Sequence, residues 1–219
     1  MSKIKEFIKK NKIFSLLIVV AIAIISVGIF APIIAPYSPF EGNLSDALQP
    51  PSSEHIFGTD KLGRDVFSRV VYGTRISLTA SLVLVISIFT IGTTLGILSG
   101  YFGGIVDEII MRISDIMISF PGMVLAISLA GIMGSSVDNA VIAIMVVSWT
   151  KYARLSRSLV LKIKETDYIY AAKISGCKTI HIITRHIIPN IIPTLITTAT
   201  TDIGTMILEL SSLSFLGFG

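Results

Sequence analysis

Two stretches of this chain, residues 13–35 and 76–100, contain no charged side chain at all. A bilayer core of roughly 30 Å is crossed by about 20 helical residues at 1.5 Å each, so either stretch is long enough to span one. That constraint outweighs every other feature of the sequence. Over 219 residues, 52% are hydrophobic and only 15% charged, against about 25% charged in an ordinary soluble domain. The apolar surplus must face something other than water. Disorder is excluded, because it needs low hydrophobicity and high charge. A single cysteine, Cys177, excludes both a disulfide framework and a cysteine zinc site.

Three further spans are expected. One covers 113–134, with Asp115 near its start. One covers 137–150 and continues as a helix past Lys151. One covers 191–213, with Asp202 and Glu209 inside it. The fold class is therefore an all-α membrane protein, a polytopic helical bundle with about five transmembrane helices present. Lys3, Lys5, Lys9, Lys10 and Lys12 face only Glu6 at the start. Residues 151–189 carry eight positive charges against Glu165 and Asp167. Both segments belong in the cytoplasm by the positive-inside rule, with the N-terminus cytoplasmic and the chain in the cell membrane. Four crossings connect them, so count and charge agree. The first span is read as a retained anchor, since its apolar run exceeds a signal core and Pro32 and Pro36 crowd any cleavage site. Residues 1–75 form the anchor and an extracytoplasmic loop, and 76–219 form the transmembrane core.

In the outer loop, Gly58 and Gly63 have the spacing of a phosphate-binding loop. Arg64 and Asp65 stand where the phosphate lysine and magnesium hydroxyl would be needed, so nucleotide binding is rejected. After Asp65, Val66, Val70 and Ile76 alternate with Arg69 and Arg75. That pattern fits an amphipathic helix on the outer interface or an ordinary solvated one. Gly92, Gly96 and Gly100 recur every four residues, a helix-packing face that could serve within one subunit or between two. Glu108, Arg112 and Asp115 suggest a salt-bridged cytosolic helix start. Pro121-Gly122 should kink or break the third span. Trp149 and Tyr152 read as an interfacial aromatic belt, with Arg154 and Arg157 as anchors to lipid headgroups.

The cytoplasmic stretch is the most informative. Thr166 or Asp167 can cap a helix that Gly176 ends. Tyr168, Ala171, Ala172 and Ser175 share one face, mostly small, open to close approach by a partner. Ile180, Ile183 and Ile187 group on a second helical piece, after which Pro189 should force a new direction. His181 and His186, five apart, are expected on different helix faces, so no metal site is assigned. In the fifth span Thr198, Asp202, Thr205 and Glu209 form one stripe. An intramembrane acid is costly, so the stripe faces either a translocation path or a buried interhelix network. No nucleophile–base pair exists, and neither a catalytic residue nor a cofactor is assigned.

The segment YAAKISGCKTIHIITRHIIPN resembles the loop signature E-A-A-x3-G-x9-I-x-L-P of type I ABC importer permease subunits. Tyr170 stands for the Glu; Ala171, Ala172, Gly176 and Pro189 match. FGTDKLGRDVFSRVVYGTRISL, GYFGGIVDEIIMRISDIMISFP and LSFLGFG are similar to the C-type subunit of the dipeptide, oligopeptide and nickel branch, and SWTKYARLSRSLV and TTDIGTMILELSSLSFLGFG are most similar to its nickel-type members. The resemblance implies a coupling helix comprising Tyr168, Tyr170, Ala171, Ala172, Ser175 and Gly176. It also implies a second permease subunit as heterodimer partner, two ATP-binding subunits, an extracytoplasmic substrate-binding protein and no nucleic acid. Lys162, Lys164 and Lys178 would add electrostatic contact to the ATPase. More sequence follows LSFLGFG in such permeases, so this chain is expected to be C-terminally truncated. The competing expectation is an ion-coupled secondary transporter that uses Asp202 and Glu209 as carriers, though no internal repeat supports it.

Overall fold

The computed structural model describes residues 11–218. Lys3, Lys5, Glu6, Lys9, Lys10 and the terminal Gly219 lie outside the described residues. Among those described, the chain is helical, with one isolated bridge between Thr59 and Asp65 and no strand. Two compact units, Met1–Thr79 and Ala80–Gly219, divide it.

In the first unit, α1 (Lys12–Ile29) is followed by the short α2 (Ala31–Ile34). Pro32 fits there because the first turn of a helix has no use for its missing N–H. The side chains of α1 are exposed along almost its whole length, including Ile13, Leu16, Leu17, Val19 and Ile22. Such a helix is stable only where lipid replaces water. The loop that follows is ordered by side chains. Asp60 accepts hydrogen bonds from the Leu62 and Arg64 N–H groups and from Arg64 Nε at 2.8 Å, and also pairs with Arg69. Asp65 accepts from the Ser68 N–H at 2.7 Å and lies 3.0 Å from His55 Nδ1. At Gly63, φ is +71° and an added Cβ would lie 1.8 Å from the Asn43 carbonyl oxygen, so this glycine serves a tight backbone approach.

α3 (Val66–Phe102) runs without interruption for 37 residues, roughly 55 Å. The helix after Asp65 is thus the first part of the second span and not a separate interfacial helix. Val70 and Ile76 are exposed, while Ser68 and Val71 are buried. In the second unit, α4 (Gly104–Ile118) and α5 (Gly122–Met133) meet at an 88° bend. Pro121 cannot donate to the preceding turn and disfavours helix at Phe120, so the expected kink is a full change of direction. α6 (Val137–Lys164) is capped by the Ser136 hydroxyl, which accepts from the Asn139 N–H at 3.1 Å. α7 (Asp167–Ile174) and α8 (Thr179–Ile182) follow.

A π-helical turn, Ile183–Ile187, joins α8 to α9 (Ile188–Phe215). The expected change of direction at Pro189 does not occur. Pro189 falls in the first turn of α9, and the wider turn before it absorbs the lost donor, so Thr179–Phe215 continues as one helical run. The core of this unit is Leu84, Ile88, Ile144, Tyr152, Ile169, Ile187, Ile191 and Leu195, each at most 1% exposed.

By length and composition three helical runs can cross a membrane: Lys12–Ile29, Val66–Phe102 and Thr179–Phe215. A fourth exists if the bent pair counts as one span. α6 is not among them. At 28 residues it reaches about 42 Å, but its second half carries Lys151, Arg154, Arg157, Lys162 and Lys164.

Candidate functional site

The chemistry of the second unit gathers where α6 meets its neighbours. A Cβ at Gly92 would lie 2.4 Å from the Trp149 carbonyl oxygen, one at Gly96 2.3 Å from that of Ala153, and one at Gly100 2.9 Å from Val160 Cβ. The glycine stripe therefore seats α3 directly on the backbone of α6 within this chain. The Ser156 hydroxyl, whose Cβ lies against Gly96, and the Thr93 hydroxyl on α3 are buried with no hydrogen-bond partner among the described residues.

On another side, α6 is tied to α4 by ion pairs. Arg157 Nε and Nη2 each donate to Asp107 at 2.5 Å, and the Ser99 hydroxyl also donates to Asp107. Arg154 pairs with Asp115 and donates to the Ser114 hydroxyl at 3.1 Å. Lys164 Nζ donates to the Tyr101 carbonyl at 2.6 Å. Arg154 and Arg157 thus hold helices together where lipid anchoring was expected. Of the expected cytosolic network, Glu108 and Arg112 do pair, at 3.4 Å.

The third side meets α9. Asp202 is 1% exposed. Lys151 Nζ donates to its Oδ1 at 2.6 Å, and Tyr152 Oη donates to its Oδ2 at 2.8 Å. Tyr152, read as an interfacial aromatic, is fully buried, with its ring edge against Phe89 at 5.7 Å between centroids. An aromatic residue where the basic half of a helix begins looks interfacial from sequence alone. Only the buried carboxylate across the helix pair explains why its hydroxyl turns inward. Beside this cluster opens a cleft of about 360 Å³. Its polar lining includes Lys151, Asp202, Thr205 and Glu209, and its apolar lining includes Phe120, Val147 and Met206. The bend between α4 and α5 supplies Ile118, Phe120 and Gly122 to its wall. Thr198 does not line it, and its hydroxyl donates to the Thr194 carbonyl at 3.1 Å.

The basic segment presents a different surface. α7 is anchored by Ile169, which is fully buried, and by the partly buried Ala172. Tyr168, Tyr170, Ala171, Ile174, Ser175 and Gly176 are exposed, Ile174 by 87%. Thr166 caps α7 by position, while its hydroxyl donates back to the Ile163 carbonyl at 2.6 Å. Gly176 has φ +76°, the left-handed end of a helix, and nothing lies within 4 Å of an added Cβ. Pro189 is exposed. The π turn brings residues five apart onto one face, so the His181 and His186 rings lie edge to face at 5.9 Å. The expectation of different faces assumed 3.6 residues per turn. Ile182, Ile183 and Ile187 are buried on this run, whereas Ile180 is exposed. Among the described residues no three His, Cys, Asp or Glu side chains converge as a metal set.

Comparison with known proteins adds a family. Residues 92–219 match the binding-protein-dependent transport system inner membrane component, and residues 7–51 match the N-terminal transmembrane domain of oligopeptide transport permease C. The chain is 45% identical over 212 residues to a dipeptide transport system permease protein of Alkalihalophilus pseudofirmus, covering 97% of this chain and 70% of the relative. It is 39% identical over 221 residues to a dipeptide transport system permease protein of Haemophilus influenzae, covering 97% and 74%. To the nickel transport system permease protein of Escherichia coli it is 37% identical over 184 residues, covering 84% and 66%. These identities do not single out the nickel-type members.

Proposed function

The chain belongs to the inner-membrane components of binding-protein-dependent transport systems, multi-pass permease subunits that are not themselves catalytic, and from that premise we propose that it forms the translocation path of an ATP-driven importer of short peptides or nickel. Membership implies an ATPase, a second permease and a binding protein as partners. In this reading the second permease makes a heterodimer, two ATP-binding subunits dock from the cytoplasm, and the N-terminus is cytoplasmic. Residues 1–75 serve as the anchor and outer loop. Residues 76–219 form the transmembrane core with the coupling segment 151–189, and α6 counts as a span alongside the four candidates.

The observation that carries the reading is α7. It is a short helix within the basic segment with a buried root at Ile169 and an exposed tip of Tyr168, Tyr170 and Ile174. Apolar and aromatic side chains held out on a rigid stub suit a protein groove. Tyr168, Tyr170, Ala171, Ala172, Ser175, Gly176 and Pro189 would couple ATPase closure to the spans. Lys162 and Lys178 are exposed and free to meet the ATPase, while Lys164 is committed to Tyr101. The stripe Thr198, Asp202, Thr205 and Glu209 would belong to the path. The test is uptake into proteoliposomes that hold the permease pair and both ATPases, with binding protein and labelled peptide or Ni²⁺ outside. Accumulation should require internal ATP. Accumulation that persists without the ATPases, driven by an ion gradient, would show a secondary transporter instead.

A further inference from the structure

Asp202 and Glu209 stand on one stripe of α9, seven residues and about 10 Å apart, yet their situations are opposite. Both Asp202 oxygens are occupied, one by the Lys151 ammonium and one by the Tyr152 hydroxyl. Its charge is balanced and its acceptors are used within the chain. Glu209 reaches the same cleft and has no ion pair or hydrogen bond among the described residues. Lys151 lines the same cleft but is held by Asp202, so Glu209 has no direct counter-charge, and keeping it charged in a cleft read as part of the membrane path is costly until a cation pairs with it. Around it the lining is mostly apolar, with Phe120, Val147 and Met206 contributing, and its volume of about 360 Å³ falls in the range of small-molecule sites.

We propose that Glu209 is the group that receives the positive charge of the transported solute, and that this charge is an organic ammonium and not a bare metal ion. The proposal rests on the reading of the cleft as part of the translocation path. A divalent metal stripped of water needs several ligands converging on one point. Among the described residues this chain's share of the cleft offers one available carboxylate and no converging set. An ammonium needs only one carboxylate acceptor, and apolar walls beside it suit the carbon body of an amine-bearing solute. Asp202 has the separate task of fixing α9 against α6, so that Glu209 stays at the cleft.

The assembled transporter in proteoliposomes tests this. The probes are a pool of labelled short peptides with free amino termini and, separately, Ni²⁺. Glu209→Gln should lower peptide uptake about tenfold, a loss of one charge-assisted contact. The variant should still assemble with the second permease and both ATPases, and Glu209→Asp should restore part of the uptake. Wild-type uptake by Glu209→Gln would overturn the proposal. So would a wild-type transporter that imports Ni²⁺ but no peptide, a result that leaves the importer reading standing. No ATP-driven import of either probe would overturn the importer reading and the proposal with it. A second measurement does not depend on the Glu209 variants assembling. Thr205 lies one turn from Glu209 on the same face and is exposed to the cleft. With Cys177→Ala in the background, Thr205→Cys should react about tenfold faster with a cationic methanethiosulfonate than with an anionic one, because a nearby carboxylate concentrates cations. Equal rates would overturn the proposal.

Discussion

The Lys151–Asp202 pair is unequal in its surroundings, and the inequality has consequences. The Asp202 side chain is 2% exposed and that of Lys151 57%. Removing the lysine leaves a buried carboxylate with only a tyrosine hydroxyl. Removing the aspartate leaves an ammonium that can turn to water or headgroups on its flexible stem. Breaking a buried pair by deleting one partner costs about 3–5 kcal/mol when the survivor stays buried. Lys151→Met should therefore destabilise the protein by about 3 kcal/mol and Asp202→Asn by about 1 kcal/mol. Thermal unfolding of the detergent-solubilised transporter checks the order. A larger loss from Asp202→Asn would show that Lys151 has no other place to go. In the loop before α3, burial pushes the Asp65 carboxyl up, but Ser68 and His55 outweigh that and hold it below the usual carboxylate range. A lowered folded value means that its stabilisation is complete above the ordinary aspartate value of about 3.9. It then drains away as the pH falls through the lower folded value. Asp65→Asn should lose loop stability at neutral pH and flatten the acid limb below about pH 4, as read by limited proteolysis of the loop across a pH series. Parallel acid profiles for variant and wild type would show that Asp65 does not set the limb.

Helix α3 meets α6 through backbone, and this makes a sharp contrast between two glycines. A methyl group at Gly96 would meet the Ala153 carbonyl oxygen at 2.3 Å, where no side-chain rotation can relieve it. Gly204, on α9, has nothing within 4 Å of an added Cβ. Gly96→Ala should force the helices apart at a cost of about 1–3 kcal/mol, while Gly204→Ala should be neutral or stabilising by up to about 1 kcal/mol. Thermal stability measured side by side decides it. Equal effects would mean that α3 and α6 are not in backbone contact. The helices themselves were readable from sequence wherever one strong local signal ruled. Charge-free runs marked α1 and α3, and Pro121 marked the break between α4 and α5. What local signals could not supply was the partner of each polar group. Arg154 and Arg157 look like headgroup anchors until Asp107 and Asp115 are placed opposite them, some forty or fifty residues away in the chain. Likewise, 3.6-residue periodicity separates His181 from His186, and only the π turn before Pro189 reunites them. A stripe at 0, 4, 7 and 11 placed Asp202 and Glu209 together but gave no hint that one is satisfied and the other alone.

At the scale of the whole molecule, the cleft and α7 share one support, the cleft at the middle of α6 and α7 beyond its end. α6 carries Lys151 at the cleft and runs on to Lys164, and α7 follows after two residues with Ile169 locked into the same core. A displacement imposed on α7 is therefore imposed on α6, and through the Lys151–Asp202 pair on α9. That continuity is what a coupling element needs, and Gly176 is where it can be tested. Its φ of +76° disfavours any L side chain, by roughly 1–2 kcal/mol, so a bulky substitution mixes strain with bulk. Gly176→Ala carries the strain alone, and nothing lies within 4 Å of its added methyl. Gly176→Trp carries both and fills the space that a docked ATPase would occupy. If α7 docks closely, Gly176→Ala should keep uptake within about threefold of wild type, whereas Gly176→Trp should lose it by more than about tenfold. In Gly176→Trp the ATPase should also no longer respond to binding protein. Uptake and stimulated ATPase activity measured on the same proteoliposomes separate these effects. Similar losses in both variants would assign the defect to the backbone turn, and normal uptake in Gly176→Trp would remove α7 as the coupling surface.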